Sequence, residues 1–257
     1  MVIALLTDFG TRDGFVGVMK GVILSVNPAV SIVDISHEVE PFNVLEGALL
    51  LKAHYRYFPV GTVFVAVVDP GVGSERKPIA IRLGDYFFVG PDNGIFDLVV
   101  EESEQAPCAV VLENERFALP KINNTFHGRD IFAPAGAYIS RGVPLEEFGS
   151  RCEYSKKLNL PKARSSGGAV EGEIIYFDRF GNAVTNIPCG NYDYGIFREQ
   201  RLKVVSHFQA GDRGKPNFVC GSFGFMELFI PMENAREKLS LERGEKVLLF
   251  TRKNIRG

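Results

Sequence analysis

The sequence predicts an α/β N-terminal domain, with a largely parallel sheet flanked by helices, and a smaller C-terminal antiparallel β-barrel or β-sandwich domain. In the first half, continuously apolar strand-like runs alternate with helix-like runs, which is typical of parallel sheets buried on both faces. In the second half, short β-prone runs are separated by Gly, Asn and Pro. The length of 257 residues exceeds that of a usual single domain, so two domains are expected.

The first domain is predicted to span residues 1–150. Its pattern begins with the apolar run VIALL (2–6) and the helix-like run GFVGVMKGVILSV (14–26). The pattern recurs in further segments: strand SIVDIS, helix VLEGALLLKAHYRYF, strand TVFVAVVD, strand-like IAIRL and YFFVG, and helix DIFAPAGAYIS. Strands joined by helices in this way indicate a doubly covered sheet.

Residues 151–168 are polar and end in Ser-Ser-Gly-Gly, which predicts a linker. Residues 169–257 form the predicted β domain. Its β-prone runs are EGEIIYF, NAVTNIP, RLKVVSHF, FVCGSFGF, MELFI and KVLLF.

Composition narrows the class of ligand. The net charge of −2 gives no broad attraction to nucleic acid or to an anionic membrane, so a small-molecule partner is expected. No C-x-x-C, H-x-H or H-E-x-x-H pattern occurs, so no metal site is expected. The scattered cysteines are predicted to be reduced, packed thiols: Cys108, Cys152, Cys189 and Cys220. The chain shows neither a leader-like start nor a membrane-length apolar run, which predicts a cytoplasmic protein.

Two acidic residues follow predicted strands of the first domain. Asp8 comes after the first strand, where parallel sheets form their ligand crevice, but it could instead cap the helix starting near Asp13 or order the Gly-rich turn. Asp69 ends the third strand, and a Gly-Val-Gly loop leads from it to Arg76. Asp69 could face the same crevice as Asp8, although Asp-Pro-Gly is also ordinary turn chemistry.

His127 is the histidine placed best for chemistry. It lies in the polar, Gly-containing stretch NNTFHGRDIFAP, next to Arg129 and Asp130, whereas the other three histidines are expected to be structural or exposed. Alternatively, His127 begins a helix and hydrogen-bonds the backbone there.

Two segments of the second domain combine polar and aromatic groups. In YFDRFGNAVTN, Asp178, Phe180 and Asn182 surround a Gly turn. The amide suits a purine edge and the acid suits an ammonium, yet the segment also fits a plain hairpin turn. GSFGFMELFIPMENA (221–235) could form either a lid over an aromatic ligand or the core of a β-hairpin.

Taken together, these segments resemble the S-adenosylmethionine hydroxide adenosyltransferases, relatives of the fluorinating and chlorinating enzymes. The matching stretches are TDFGTRDGFVGVMKGVI, VDPGVGS-x-R-K, GPDNG, TFHGRDIFAPA, D-R-F-G-N-A-x-T-N and GSFG. The resemblance implies that water or hydroxide attacks the ribose C5′ of S-adenosyl-L-methionine and releases adenosine and L-methionine. It further implies that no metal or cofactor is used and that the chain forms a homotrimer with its sites at subunit interfaces.

The resemblance also implies roles for particular residues. Asp69, Arg76 and His127 would activate the water, and because the halogenases lack this full set, the chain is expected to be a hydrolase. The substrate-binding residues would be Asp8 for the ribose hydroxyls, Asp178 for the methionine ammonium, Asn182 for the adenine edge, Ser222 for the methionine carboxylate, and Phe180, Phe223 and Phe225 for packing against adenine or the thioether. Glu227 and Met232 lie in the same segment as substrate-binding candidates without a defined role.

Two other functions compete with this interpretation. A metal-dependent phosphohydrolase or nucleotidase would use clustered carboxylates from Asp8, Asp34, Asp69 and Asp92, and a chelator would inactivate it. A non-catalytic adenosine or S-adenosylmethionine sensor would keep the ligand and form no product.

Overall fold

The chain forms two compact units, Met1–Leu158 and Asn159–Gly257. The computed structural model describes residues 1–120, 124–155, 157–158 and 160–251. Within these ranges, no helix combines the length and apolar character needed to cross a membrane.

The first unit contains a seven-stranded sheet and four α-helices. The strands are β1 (Val2–Thr7), β2 (Ser31–Ser36), β3 (Val63–Val67), β4 (Pro78–Leu83), β5 (Tyr86–Pro91), β6 (Cys108–Val111) and β7 (Arg151–Cys152). The helices are α1 (Phe15–Val26), α2 (Val44–His54), α3 (Asp97–Glu102) and α4 (Ala133–Ser140). One turn of π-helix, Gly128–Phe132, leads directly into α4.

The sheet of the first unit is mixed, so the prediction of a largely parallel sheet is wrong for half of it. The strand order is β2-β1-β3-β5-β4-β6-β7, with parallel pairs from β2 to β5 and antiparallel pairs from β5 to β7. The reason is the link between β4 and β5, which consists only of Gly84 and Asp85. A parallel connection needs about a dozen residues or more, whereas two residues close a hairpin.

Both faces of β1 and β3 are buried, as their continuously apolar sequences predict, whereas the outer strand β2 is partly exposed. Ile3, Leu5 and Val65 belong to one apolar cluster together with residues of α1 and α4. On the opposite face the Phe64 ring stacks on Phe88, with ring centroids 5.2 Å apart. Helix α4 lies very close to β3, because a Cβ on Gly136 would come within 2.7 Å of Val65. This packing fixes the position of α4, which continues the π-helical turn that begins directly after His127.

The second unit is a closed β-barrel. Its strands are β8 (Arg164–Ser166), β9 (Ala169–Phe177), β10 (Ala183–Pro188), β11 (Tyr192–Phe197), β12 (Gln200–Val205), β13 (Asn217–Cys220), β14 (Phe225–Phe229) and β15 (Lys246–Thr251), with one short helix, α5 (Ala235–Leu239). Seven of these strands form a ring in the order β10-β14-β13-β12-β11-β15-β9, and the pairing of β9 with β10 closes it. The remaining strand, β8, pairs with β9 and is not part of the closed ring. The predicted antiparallel pairing has one exception, because β12 and β13 are parallel.

Two cysteines of the second unit form a disulfide, so the prediction of reduced thiols is wrong for them. Cys189 and Cys220 are bonded, with their Cα atoms 5.2 Å apart, whereas Cys108 and Cys152 are free thiols. Cys189 directly follows β10 and Cys220 ends β13, and both strands flank β14. The barrel therefore brings together two residues that are 31 positions apart in the sequence.

Candidate functional site

Asp8 and Asp69 emerge at the carboxyl ends of neighbouring strands. Strands β1 and β3 pair in parallel, with Thr7 opposite Val67. The Asp8 carboxylate accepts the backbone N–H of Phe42 at 2.9 Å. Burial raises the pKa of Asp8 and the negative charge of Asp69 adds to this effect, although the Phe42 hydrogen bond opposes it. Asp8 does not cap α1, since the N-cap residue of that helix is Gly14 and no side-chain hydrogen bond caps the helix.

His37 holds the loop that carries Asp8 through contacts with Thr7 and Gly10. The Thr7 hydroxyl lies 2.8 Å from His37 Nδ1, and the backbone N–H of Gly10 donates to the His37 carbonyl at 2.7 Å. His37 Nε2 in turn lies 3.0 Å from an oxygen of Asp34. These contacts hold the loop on both sides of Asp8.

Arg76 joins Asp69 and His127 in one polar cluster. Its Nε donates to Asp69 Oδ1 at 3.0 Å and its Nη2 donates to Asp69 Oδ2. The same Nη2 lies 2.7 Å from His127 Nδ1. An arginine side chain only donates, so Nδ1 must be the acceptor, and the ring in this arrangement is neutral with its proton on Nε2.

One nitrogen of the Arg76 guanidinium, Nη1, can still donate to a further hydrogen-bond acceptor. The side chains of Arg76 and Asp69 are only 9% and 5% exposed. Nη1 of Arg76 is buried and has no hydrogen-bond partner among the described residues. The Phe132 ring covers the guanidinium, with 5.3 Å between the Arg76 Cζ and the ring centroid. A buried, unsatisfied cationic donor is costly unless it binds an acceptor, and a small oxygen ligand suits it.

His127 owes its position to the π-helical turn that follows it. The turn Gly128–Phe132 begins directly after His127, and π-turns of this kind frequently mark functional sites. The His127 side chain makes no capping bond to this turn, so the alternative of a helix-capping histidine does not apply. Arg129 is occupied separately, since its guanidinium pairs with Asp130 at 2.6 Å.

A cavity of about 470 Å³ lies beside this cluster. Its lining residues are Phe9, Phe15, Val67, Asp69, Val72, Thr125, Phe126, His127, Gly128 and Arg129. Phe9, Phe15 and Phe126 contact one another edge to face, with centroids 5.2 to 5.9 Å apart. These three rings were not predicted as site residues, although all of them lie within the motifs TDFGTRDGF and TFHGRD. His127 and Arg76 also line a second cavity, of about 550 Å³.

The second unit has its own cavity, of about 650 Å³. Of the residues predicted from the sequence, the cavity is lined by Asp178, Phe180, Asn182, Ser222, Glu227 and Met232. Phe223 and Phe225 are not among its lining residues; Phe223 instead packs on Tyr176, with centroids 5.4 Å apart. The lining also includes groups that the sequence did not single out: Phe208, Phe229, Ile230, Pro231, Glu233 and Asn234.

The turn between β9 and β10 fixes Asp178 and Asn182. Asp178 Oδ1 accepts the backbone N–H groups of Phe180 at 2.9 Å and Asn182 at 2.8 Å. Its Oδ2 accepts the Asn182 side-chain amide at 2.9 Å. Gly181 adopts a φ of +81°, which favours glycine. The acid and the amide are therefore held in a fixed relation at the cavity.

Three of the four carboxylates that a metal-dependent phosphohydrolase would share are each paired with a cation of their own. Asp34 pairs with Lys20 at 2.6 Å, and Asp92 pairs with Lys157 at 2.8 Å. Asp69 is held by Arg76. No group of three or more His, Cys, Asp or Glu side chains suited to a metal ion occurs within the described ranges. The geometry therefore does not support a clustered-carboxylate site.

Comparison with known proteins identifies relatives along almost the whole chain. A protein of Thermus thermophilus named (R)-S-adenosyl-L-methionine hydrolase is 38% identical, covering 95% of this chain and 98% of the relative. A protein of an Actinoplanes species named fluorinase is 31% identical, covering 88% of this chain and 90% of that protein. The crystal structure of an uncharacterized conserved protein from Thermotoga maritima matches with a TM-score of 0.88 and 37% identity, covering 97% of this chain and 100% of that one.

Two family models match the two halves of the sequence. The SAM hydroxide adenosyltransferase N-terminal domain matches residues 3–149, which include Asp8, Asp69, Arg76 and His127. The SAM hydroxide adenosyltransferase C-terminal domain matches residues 172–248, which include the cavity of the second unit. The chain therefore belongs to the SAM hydroxide adenosyltransferase family.

Proposed function

We propose that the protein hydrolyses S-adenosyl-L-methionine to adenosine and L-methionine, through attack of water or hydroxide on the ribose C5′ without a metal ion. The observation that carries the proposal is the buried Nη1 of Arg76, which has no hydrogen-bond partner in the described part of the chain, while Asp69 and His127 hold the guanidinium in place. The hydrolase name of the Thermus relative supports the same reaction. The family model matched to each half supports the same substrate.

The chemistry explains why a guanidinium suits this reaction. The sulfonium leaves as a neutral thioether and takes the electron pair of the C5′–S bond, so no general acid is required. The difficult step is to supply an oxygen nucleophile, because hydroxide is scarce at neutral pH. Arg76 Nη1 would donate to that oxygen and stabilise its negative charge, and the proton that the water loses would pass to Asp69 or His127.

Substrate orientation is the second part of the proposal. Asp8 would hold the ribose hydroxyls, Asn182 the adenine edge, and Ser222 the methionine carboxylate, while Asp178 would face the methionine ammonium. Phe180 and Met232 line the same cavity as Asn182 and Ser222 and would pack against the ligand. We do not expect Phe223 and Phe225 to contact the ligand, because neither lines the cavity. Fixing the substrate in line with the nucleophile can contribute roughly 7–11 kcal/mol in well-oriented systems.

We further propose a homotrimer, in which the first unit of one subunit and the second unit of its neighbour complete each site. Support comes from the exposed apolar side chains near the candidate residues of both units. Phe42, whose N–H binds Asp8, is 70% exposed, and Phe180 and Met232 are 74% and 98% exposed. Burial of such groups against another chain would stabilise an oligomer. Light scattering of the purified protein measures the number of subunits directly.

A product assay tests the reaction. The Thermus relative's name contains (R), and because L already fixes the methionine α-carbon, (R) describes the sulfonium. We expect the purified protein to convert the (R) epimer of S-adenosyl-L-methionine to adenosine and L-methionine, with and without chelator. Chromatography measures both products, and labelled water should place its oxygen at the 5′ position.

The same assay separates the competing functions. Loss of turnover in chelator would favour a metal-dependent hydrolase. Tight retention of the ligand without products would favour a sensor. Either result would refute metal-independent hydrolysis.

Replacing Asp8 with alanine is expected to weaken adenosine binding about ten- to a hundredfold, because hydrogen bonds to a charged group contribute about 1.5–3 kcal/mol. Calorimetric titration with adenosine measures the effect. Asp13→Ala is the matched control, since Asp13 is an exposed acid of the same loop. Because Asp8 also binds the N–H of Phe42, thermal melting must show that the variant is folded. Unchanged adenosine affinity in Asp8→Ala would remove Asp8 from the ribose site.

A further inference from the structure

The motif GPDNG (90–94) ends β5 and forms the turn that follows it. In the strand order, β5 lies between β3 and β4. The loop 68–77, which carries Asp69 and Arg76, leads from the end of β3 to the start of β4. This loop must therefore cross the end of β5, where the turn lies.

Both ends of the loop 68–77 are hydrogen-bonded to this turn. The side-chain Nδ2 of Asn93 donates to the carbonyl of Val68, the first residue of the loop, at 2.8 Å. The backbone N–H of Asp92 donates to the carbonyl of Lys77, the last residue of the loop, at 2.9 Å. The turn thus holds the loop immediately before its acid and immediately after its arginine.

The carbonyl of Val68 needs a partner from outside the strand. Strand β3 ends at Val67, and Val68 is fully buried. A buried carbonyl without a donor is costly, and Asn93 supplies that donor. The Oδ1 of Asn93 accepts the N–H of Ile95 at 3.2 Å. Because a backbone N–H can only donate, this contact identifies Nδ2 as the atom that faces Val68.

Between its two ends, the loop has few means of fixing itself on the sheet. It contains Gly71 and Gly73, and glycines give a loop additional backbone freedom. Its internal hydrogen bonds connect close neighbours, such as the N–H of Ser74 to the carbonyl of Gly71 at 3.0 Å. The contacts at its two ends therefore limit how far the loop can move on the sheet.

The turn after β5 is itself firmly placed. A Cβ on Gly90 would lie 2.2 Å from the carbonyl oxygen of Ala66, so β5 runs directly against β3 just before the turn. On the other side, the N–H of Asp97, at the start of α3, donates to the carbonyl of Gly94 at 2.9 Å. Asn93 thus connects the loop to a part of the sheet that is fixed by its own contacts.

We infer that Asn93 is a positioning residue for the pair of Asp69 and Arg76. Its Nδ2 fixes the backbone directly before Asp69, so that both carboxylate oxygens meet the guanidinium. Asn93 is absent from the described lining of the cavities beside this pair, so it acts through the pair. This inference rests on the proposed function, which assigns the attacking oxygen to Nη1 of Arg76.

Replacing Asn93 with alanine is expected to lower kcat for S-adenosyl-L-methionine hydrolysis about tenfold to a hundredfold, since a displacement of about 1 Å at a catalytic group can have that effect. KM should stay within about twofold, because the residues that line the substrate cavity are unchanged. Chromatography of adenosine formed at a series of substrate concentrations measures both constants.

Two further variants show whether the donor to Val68 is the cause. Asn93→Asp has the same shape and can still accept the N–H of Ile95, but it presents an oxygen to the Val68 carbonyl. It should lose at least as much kcat as alanine, and it serves as the test if Asn93→Ala does not fold. Asn27→Ala is the matched control.

Asn27 makes the same kinds of contact at the opposite edge of the sheet. Its Nδ2 donates to Ser140 Oγ at 2.8 Å, and its Oδ1 accepts the N–H of Ala29 at 3.3 Å. Asn27 lies before β2, whereas Asp8 and Asp69 follow the carboxyl ends of β1 and β3. Asn27→Ala should therefore keep the kcat of the wild type.

A double-mutant cycle separates positioning from a general structural defect. In a chain that already carries Arg76→Ala, the further change Asn93→Ala should lower kcat by less than about twofold, because the guanidinium that it positions is already absent. A general defect would instead lower kcat by the same factor in both chains.

The Nε proton of Arg76 reports on the pair without any turnover. It is donated to Asp69 at 3.0 Å, and the Arg76 side chain is largely buried. In a proton–nitrogen correlation spectrum, its signal is identified by its disappearance in Arg76→Lys. Asn93→Ala should speed the exchange of this proton with solvent about tenfold, the factor that corresponds to the loss of one hydrogen bond. Asn27→Ala should leave the exchange unchanged.

The results separate this inference from the proposed function. If the wild type hydrolyses S-adenosyl-L-methionine while Asn93→Ala and Asn93→Asp keep its kcat, or if Asn93→Ala causes the same loss in the Arg76→Ala chain, the positioning role is overturned and the proposed function stands. If the wild type forms no adenosine, the proposed function fails. Unchanged exchange of the Arg76 Nε proton in Asn93→Ala would then overturn the positioning role as well.

Discussion

Replacing Arg76 with alanine is expected to lower kcat for S-adenosyl-L-methionine hydrolysis by about a thousandfold, the upper end of the loss seen when one charge-stabilising donor is removed. The reason is the position of Nη1, the only buried guanidinium nitrogen without a partner within the described residues. Alanine removes the donor that would stabilise the attacking oxygen. Binding of adenosine and methionine should change little, because Arg76 contacts Asp69 and His127 and does not line the cavity of the second unit. Rapid-quench kinetics and calorimetry measure the two effects separately.

The control variants distinguish catalysis from folding. Arg76→Lys keeps the charge but loses the planar fork that holds both Asp69 oxygens, so we expect a loss of about a hundredfold. Arg82→Ala removes an exposed arginine of β4 and should keep full activity. Arg76→Ala leaves Asp69 as an uncompensated buried charge, at a cost of about 3–5 kcal/mol, and Asp69→Asn in the same chain should recover stability but not turnover. A parallel loss of ligand affinity and kcat would contradict the catalytic role.

The sequence predicted the parallel half of the first unit because that half depends on local pattern. Continuous apolar runs such as 2–6 and 62–69 are required wherever a strand is covered on both faces. The antiparallel half was missed although Gly84 and Asp85 signal it. Gly84 has a φ of +59°, as the first central residue of a two-residue hairpin turn requires. Because β4 and β5 have similar apolar compositions, their sequences do not show that the chain reverses direction between them.

In the second unit, neither the closure of the barrel nor the disulfide could be predicted from composition. Short runs between turn residues indicated a barrel or a sandwich, but the choice depends on whether β9 pairs with β10 to close the ring. The disulfide depends instead on β14, which pairs both with the strand that ends in Cys220 and with the strand that Cys189 directly follows. Cys189 and Cys220 are separated by 31 residues without any local motif, so only the strand order places them together.

The sequence predicted those residues of the candidate site that directly follow a strand. Asp8 and Asp69 follow β1 and β3, and pairing of these strands places the two carboxylates at one edge of the sheet. The contact between Arg76 and His127 spans 51 positions, and family resemblance rather than periodicity indicated it. Aromatic residues such as Phe126 were missed, because in a sequence the ring of a cavity wall cannot be distinguished from the ring of a core.

His127 offers the second large effect: His127→Ala is expected to lower kcat at neutral pH by about a hundredfold to a thousandfold, within the usual range for a positioned proton-transfer group. Its Nδ1 lies 2.7 Å from Arg76 Nη2, so alanine removes both an orienting acceptor and a titratable group. His207→Ala removes an exposed histidine of the second unit and should leave kcat unchanged. Chromatography of reactions stopped at timed intervals measures kcat for both variants.

His127→Asn separates the two roles of this imidazole. The asparagine carbonyl can accept the Arg76 hydrogen bond, but an amide does not take up a proton at neutral pH. If His127 only orients Arg76, the asparagine variant should recover most of the activity that alanine loses. If His127 accepts the proton of the water, asparagine should be as inactive as alanine, and the acidic limb of the pH–rate profile should disappear. In the structure Nδ1 is occupied by a donor that never deprotonates, so proton uptake there requires the Arg76 contact to open. Recovery by asparagine would therefore assign the proton to Asp69, and failure of asparagine would show that the Arg76–His127 contact opens during turnover.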